Sequence, residues 1–482
     1  MVVFRKSLQE FARTKIVATV GPACDTIEML SSLIREGVCV FRLNMAHRSQ
    51  EGHGETLENI RAAEELTGIP VAVLVDLAGP KIRLGDLGEA PVRCEVGRQF
   101  KWVRGTESNS PDELVSLYET LIDELEVGND ILLSDGLVRI RVIEKSAEMA
   151  LCEVTSGGMI RSRQGINLPG VKLSVSALGK KDISNAIWAC RKGVDFISLS
   201  FVRNAEEMQQ LRTIVEGEGS NASLVAKIEK PEAVANLRSI VDAADGIMVA
   251  RGDLGVEIDI ETTAVTQKLI INMCTELGKP VIVATQMLES MHKSSRPTRA
   301  EVSDVSNAIL DGADACMLSG ETAIGEYPEE VVRTMYRICL STESLVQGGV
   351  NWTKQKEDHQ GSRKISDAVV TAAALVAKEI EAKLVVIGTE DGDTALLKSK
   401  HRDLIPTVGV SSSQEITRKM CLYWGIIPVL GANVNQKSEL QDLVQDWAGE
   451  EVTLRSGDRV VYVTDSESIE KAHDMMIVGT IS

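Results

Sequence analysis

Eight short apolar segments recur along the chain: Lys15–Val20, Val38–Leu43, Val71–Leu77, Phe196–Ser200, Leu224–Ile228, Gly246–Ala250, Val281–Thr285 and Ala315–Leu318. Most are separated by amphipathic stretches with helix start signals, such as Asp25-Thr26-Ile27-Glu28 before Met29–Arg35, or Pro231-Glu232 opening a run that ends near Asp245. Strands alternating with helices predict a parallel sheet with helical crossovers. Polar residues stand at or just after most strand ends: Arg42 and Asn44, Asp76, Arg203, Lys227 and Glu229, Asp253, Thr285, Ser319 and Glu321. An open doubly wound sheet gathers its site at one switch point. Polar groups at the end of strand after strand predict instead an eight-stranded (β/α)8 TIM barrel with its site on the C-terminal rim. With aromatics at 3% against 44% hydrophobic residues, the core falls to Val, Ile, Leu and Ala, which suits a buried parallel sheet.

A length of 482 residues exceeds one ordinary core. Two segments break the barrel rhythm. From about Asp86 to Leu173 the pattern becomes short alternating strands and turns, a small β lid domain inserted after the third strand and flanked by Gly85, Gly88, Pro169 and Gly170. After about Gln347, a polar linker, Trp352–Arg363, leads to a helix, Ile365–Ala382, and to strands at Leu384–Ile387, Thr407–Val410, Ile427–Val429 and Val460–Val463. The expected division is barrel over 1–85 and 174–347, lid over 86–173, and a C-terminal α/β domain over 348–482 with a candidate regulatory role.

A net charge of −18 disfavours nucleic acid and anionic membranes as partners. An anionic substrate then needs local basic groups or a metal ion. The nine cysteines lie singly, without C-x-x-C pairs, and predict a reduced, cytoplasmic protein. The N-terminus lacks a signal-peptide apolar core, and no apolar run reaches membrane-spanning length.

Lys227 and Glu229 are two apart on one strand end, so their side chains project the same way. Glu229 and Asp253 follow successive strands, and their carboxylates can share one cation. Without nearby His or Cys, the hard oxygen donors favour Mg²⁺ or Mn²⁺ over zinc. Arg42, Arg83 and Lys227 are candidates to stabilise phosphoryl oxygens or a developing enolate, and Thr285 and Ser319 add hydroxyls. Gly252 beside Asp253 is read two ways: a close backbone approach to an anion, or a plain tight turn. Any one of these charged residues is ordinarily a solvated surface group. Lys227 differs because its flanks are apolar, and burying an unpaired lysine is costly.

At these residues the chain resembles pyruvate kinases, over nearly its whole length. The matching runs are Thr14–Pro22, Arg42-Leu43-Asn44, Gly79-Pro80-Lys81-Ile82-Arg83, Lys227-Ile228-Glu229, Met248–Gly255, Ala284–Met291, Arg296–Glu301 and Met317–Ala323, in the family's order. The resemblance implies phosphoryl transfer from phosphoenolpyruvate to ADP, giving pyruvate and ATP, at the end of glycolysis. It implies that Glu229 and Asp253 hold the divalent cation, and that Lys227 stabilises the transferring phosphoryl and the enolate. Arg42 and Arg83 would contact phosphates, the latter on the nucleotide side with Asn44, His47 and Arg163. The Ala250–Asp253 backbone, Gly252 included, and Thr285 would hold the substrate carboxylate, with Thr285 near the proton-delivery route. A homotetramer is implied by resemblance alone.

The chain also departs from the pattern. Of the family's K⁺-binding set Asn44 and Asp76 remain, but Ala46 and Leu77 replace a Ser and a Thr, and Lys81 replaces a Glu. The expectation is that the Lys81 ammonium stands in for K⁺, which is then not required. Gln164 occupies a lid position that is commonly Lys, and Arg161 or Arg163 is the candidate replacement. The loop Thr389–Thr394 that binds a sugar phosphate in many relatives carries three acidic side chains, and Asp465–Glu470 is acidic too, so fructose-bisphosphate activation there is not expected. The rivals are a metal-dependent 2-oxo-acid lyase or aldolase, against which the lid and paired arginines argue, and a silent regulatory homologue. The latter is expected to have lost Lys227, Glu229 or Asp253, all of which are present.

Overall fold

A computed structural model describes residues 11–134, 136–171, 173–347, 365–431, 437–450, 454–464 and 475–481. The linker Trp352–Arg363 and the acidic loop Asp465–Glu470 lie outside the described residues. Eight parallel strands close a barrel in chain order: β1 (Lys15–Thr19), β2 (Val38–Asn44), β3 (Ala72–Leu77), β4 (Phe196–Leu199), β5 (Ser223–Ile228), β6 (Gly246–Ala250), β7 (Val281–Ala284) and β8 (Ala315–Leu318), with β8 paired to β1. All eight expected strands are present.

The side-chain period of two divides each strand between two surroundings. Ile16, Phe41, Leu43, Val73, Val75, Ile197, Leu199, Ala226 and Ile228 face the helical ring. The opposite parity, Val17, Val40, Leu74, Phe196, Val225, Met248, Ile282 and Met317, fills the barrel interior. Two residues further on, that interior parity reads Thr19, Arg42, Asp76, Ser198 and Lys227, all buried. The apolar barrel core is thus capped at the C-terminal ends of its strands by a polar layer.

The crossover helices carry the predicted signals. Thr26 caps Ile27–Glu36, its hydroxyl accepting the Met29 N–H, and Gly37 ends that helix at φ 123°. The run after Pro231 is two helices, Pro231–Ala235 and Leu237–Ala243, rather than one.

The lid holds a six-stranded sheet in the order Ile166–Asn167, Asp130–Leu133, Val138–Lys145, Met149–Ser156, Gln99–Val103, Glu113–Leu114, and a two-stranded ribbon. Its own core includes Phe100, Trp102, Ile131, Ile140 and Val154. At the hinge a side chain on Gly85 would lie 2.3 Å from the Thr106 carbonyl oxygen, so only glycine lets the two backbones pass.

The C-terminal sheet runs β11 (Ile426–Leu430), β10 (Thr407–Ser411), β9 (Leu384–Gly388), β12 (Arg459–Thr464), β13 (Met475–Thr480). The antiparallel edge strand β13 was not among the expected strands. This domain closes the N-terminal end of the barrel, where Met420, Cys421, Leu422 and Tyr423 join the interior core. Around that plug, buried Asp314 accepts from Lys400 Nζ (2.8 and 3.0 Å), from Arg402 Nη2 (2.9 Å) and from the Val281 N–H (2.8 Å). Arg418 pairs with Glu64 at 2.5 Å. All nine cysteines are free. Among the described residues no helix is long and apolar enough to cross a membrane.

Candidate active site

The polar layer on the barrel rim is one connected network. Adjacent β2 and β3 bring Arg42 to Asp76, whose Oδ2 lies 2.8 Å from Nε and 2.6 Å from Nη2. Arg42 Nη1 donates to Thr19 Oγ1 (3.0 Å), and Ser198 Oγ donates to Asp76 Oδ1 (2.7 Å). Lys227 Nζ sits 2.9 Å from Glu229 Oε1 and 3.4 Å from Asp76 Oδ2, and donates to Ser200 Oγ (2.7 Å). Lys227 is therefore buried and paired, so its burial does not carry the cost of an isolated charge. Its ion pair with Glu229 follows from their two-residue spacing at the end of β5.

Burial works to raise the Asp76 carboxyl, but Lys227 and Arg42 outweigh it and hold Asp76 below the ordinary value. Burial likewise works to lower Lys227, and Asp76 and Glu229 overcome it, so the ammonium is held charged. Glu229 is pushed up by burial and by the nearby Asp253, against the pull of Lys227.

Glu229 Oε2 accepts the Phe201 N–H (2.6 Å). Oε1 is buried and, apart from the Lys227 ion pair, has no hydrogen bond of acceptable geometry. Asp253, on the first turn of the helix Arg251–Glu257 after β6, keeps 33% of its side chain exposed. A buried, under-satisfied carboxylate oxygen beside a half-open second carboxylate fits a hard divalent cation whose remaining positions go to substrate and water.

Thr285 has φ +71°, an outlier for a β-branched residue and worth about 1–3 kcal/mol of strain. Its Oγ1 accepts the Gly252 N–H (2.7 Å) and donates to the Ala284 carbonyl (2.6 Å). A Cβ on Gly252 would lie 3.3 Å from that oxygen. Gly252 lies in the first turn of the helix Arg251–Glu257, its N–H held by Thr285. Ala250 ends β6 and begins the Asp253 helix.

The other expected residues spread around this centre. Arg83, at the hinge, bridges to Gly165 in the lid, and its Nη1 donates to the Arg163 carbonyl (3.1 Å). Arg163 itself is exposed at φ +64°. Asn44 Oδ1 accepts the Ala46 N–H (3.1 Å), and His47 is exposed. Gln164 Oε1 accepts from Ser134 Oγ and the Arg161 N–H (3.1 and 2.8 Å), inside the lid. Lys81 Nζ lies 4.0 Å from Asp253 Oδ1. Ser319 Oγ is buried without a partner among the described residues.

A rim cluster that sequence reading missed brings ligand atoms of Glu289, His292 and Glu321 within 4.8 Å of one another. Both Glu321 oxygens are taken by backbone N–H groups, of Leu288 (3.2 Å) and Ser319 (2.7 Å), so this buried carboxylate anchors two rim loops.

Residues 11–332 match the family model for the pyruvate kinase barrel domain, and residues 367–478 match that for the pyruvate kinase alpha/beta domain. The chain belongs to the pyruvate kinase family. It is accordingly a phosphotransferase. The pyruvate kinase of Geobacillus stearothermophilus is 39% identical over 96% of this chain and 80% of its own length. That of Clostridium acetobutylicum is 37% identical over 93% of this chain and 95% of its own. The crystal structure of a pyruvate kinase from Cryptosporidium parvum superposes with a TM-score of 0.90 at 33% identity, covering 98% of this chain and 97% of that one. The barrel-domain match spans the inserted lid, and the alpha/beta-domain match covers most of the C-terminal α/β domain.

Proposed function

We propose that the chain moves the phosphoryl group of phosphoenolpyruvate to ADP, and that the network Arg42–Asp76–Lys227–Glu229 carries this chemistry. The observation behind it is a lysine held charged in a buried site between two carboxylates, one of which keeps an under-satisfied oxygen. In the reaction the bond from phosphorus to the enol oxygen breaks, and a bond to a β-phosphate oxygen of ADP forms. The enolate left behind then takes a proton at its methylene carbon to give pyruvate. Negative charge grows on the enol oxygen and spreads over the moving phosphoryl, where a fixed ammonium stabilises it without reorganisation. Arg42 receives the substrate phosphate, and Asp76 fixes the positions of both cations. Thr285, with the Ala250–Asp253 turn, orients the substrate carboxylate, and Ser319 supplies a second rim hydroxyl. Arg83, Asn44, His47 and Arg163 face the nucleotide side, and closure of the lid keeps water from the phosphoryl group. Mg²⁺ or Mn²⁺ held by Glu229 and Asp253 would supply Lewis-acid stabilisation of the same charge.

Lys81 takes the electrostatic place of a bound K⁺. In support, the Leu77 carbonyl is already occupied by Ser200 Oγ (2.7 Å), and Asp76 by two cations and Ser198. Exposed Ile260, Val265 and Leu269, and Met476 and Val478 on the edge strand β13, suit burial between subunits of a homotetramer. A cytoplasmic enzyme fits the free cysteines. The test is a coupled assay with phosphoenolpyruvate, ADP and Mg²⁺ in K⁺-free buffer. Turnover without K⁺ is expected, and absence of ATP formation with or without K⁺ would refute the function itself.

A further inference from the structure

The helix Arg251–Glu257 carries Asp253 on its first turn and Glu257 four residues later, about one turn on and on the same face. Glutamates are seldom fully buried, yet only 1% of the Glu257 side chain is exposed. Its Oε1 accepts from Lys230 Nζ (2.6 Å), next to Glu229, and from Asn167 Nδ2 (3.0 Å) in the lid. Its Oε2 has no hydrogen-bond partner among the described residues. One carboxylate therefore ties together the lid, the end of β5 and the helix that bears Asp253. An apolar residue of similar volume would seal the same space without the desolvation cost of a half-satisfied charge.

Two further contacts bear on the same short helix. Val256 packs by Gly136 of the lid, where an added Cβ would stand 3.4 Å from it. At the hinge, Lys81 reaches Asp253 (4.0 Å), while its Cε would lie 2.9 Å from a Cβ on lid residue Gly165. A small cavity of about 30 Å³, lined by Asn167, Lys230, Glu257 and Phe201 among others, adjoins the joint. We propose that Glu257 is a positioning residue: through Asn167 it couples lid closure to the placement of Asp253 for the divalent cation. The inference rests on Asp253 as a ligand of that cation.

The experiment measures turnover and the Mg²⁺ concentration for half-maximal activity in Asn167→Ala, Glu257→Ala, the double variant and Glu257→Gln. Thermal melting reports the folded fraction. Outer partners of a metal site change affinity by about 10–100-fold. Each alanine variant should raise the Mg²⁺ requirement about tenfold and lower kcat by a similar factor, with the KM for ADP within about twofold of wild type. The double variant should be no worse than Glu257→Ala alone, and Glu257→Gln, which still accepts from Asn167, should recover most of the loss. Effects that add, or an unchanged Mg²⁺ requirement in folded Asn167→Ala, would overturn the coupling. Should Glu257→Ala not fold, Asn167→Ala alone decides. Asp253→Asn run alongside separates the two levels. If its own Mg²⁺ requirement stays at wild type, the cation assignment falls and the coupling with it. If only Asn167→Ala is silent, the coupling alone falls.

Discussion

Asp76→Asn is the most informative single perturbation of the rim. Asp76 is buried, lies within 2.6 Å of Arg42 and 3.4 Å of Lys227, and accepts from Ser198 at 2.7 Å. The amide keeps the shape and an acceptor but removes the counter-charge of two buried cations. Breaking one side of a buried ion pair costs about 3–5 kcal/mol, and the retained hydrogen bonds place this case near 3. For a barrel of this size about 1 kcal/mol moves Tm by about 2–4 °C, so the barrel transition should fall by about 6–12 °C. Freed from their common anchor, Arg42 and Lys227 lose their fixed geometry, and kcat should fall about a hundredfold. The stability gap also has a signed pH dependence. Because Arg42 and Lys227 hold Asp76 below its ordinary 3.8, its contribution is complete above that value and is lost as pH falls through the folded value. Calorimetry from pH 8 to pH 3 should show a constant gap between wild type and variant down to about pH 5, closing below about pH 4. A variant with wild-type Tm and turnover, or a gap that widens in acid, would refute the reading of Asp76 as the hub of the site.

Other expectations follow from the same structure. Asp314→Asn strips the buried counter-charge from Lys400 and Arg402 at the barrel base. It should cost about 3 kcal/mol and split denaturation into separate barrel and C-terminal transitions, read by urea titration with two probes. Lys81→Glu should lose at least about tenfold in activity in K⁺-free buffer and regain it with K⁺, if the ammonium serves as the fixed cation; indifference to K⁺ contradicts that role. Fructose bisphosphate should leave the saturation curve for phosphoenolpyruvate unchanged. Thr389 Oγ1 already accepts the Gly392 N–H (2.9 Å), and Asp391 the Asp393 N–H (2.9 Å), so the loop spends its donors on its own side chains. Activation abolished by Thr389→Ala would contradict this.

The eight barrel strands were legible because each is a short, mostly apolar run, and most are bounded by helix signals. Lys227 with Glu229 was legible because a period of two puts both on one side of the chain at the end of β5. Asp76 was visible as a polar strand end, but not as the hub: its contacts depend on which strands lie next to one another, as with Lys227, 151 positions away. The joint at Glu257 escaped notice for the same reason, since its partner Asn167 lies 90 positions earlier in another domain. Lys400 and Arg402 drew no notice in the sequence, because nothing local marks a residue that docks one domain on another. Strand β13 was missed because its residues, Met475–Thr480, alternate half-buried and exposed at the sheet edge rather than forming a continuous buried run.

The central claim is that the charged Lys227, held between Asp76 and Glu229, stabilises the phosphoryl group and the enolate. Its direct test is kcat of Lys227→Met against wild type in the phosphoenolpyruvate and ADP assay, with both proteins checked for folding by circular dichroism. A cation aimed at a transferring phosphoryl is worth about 10³–10⁵-fold, so the folded variant should lose at least about a thousandfold in kcat. A folded Lys227→Met that retains turnover within about tenfold of wild type would contradict the account.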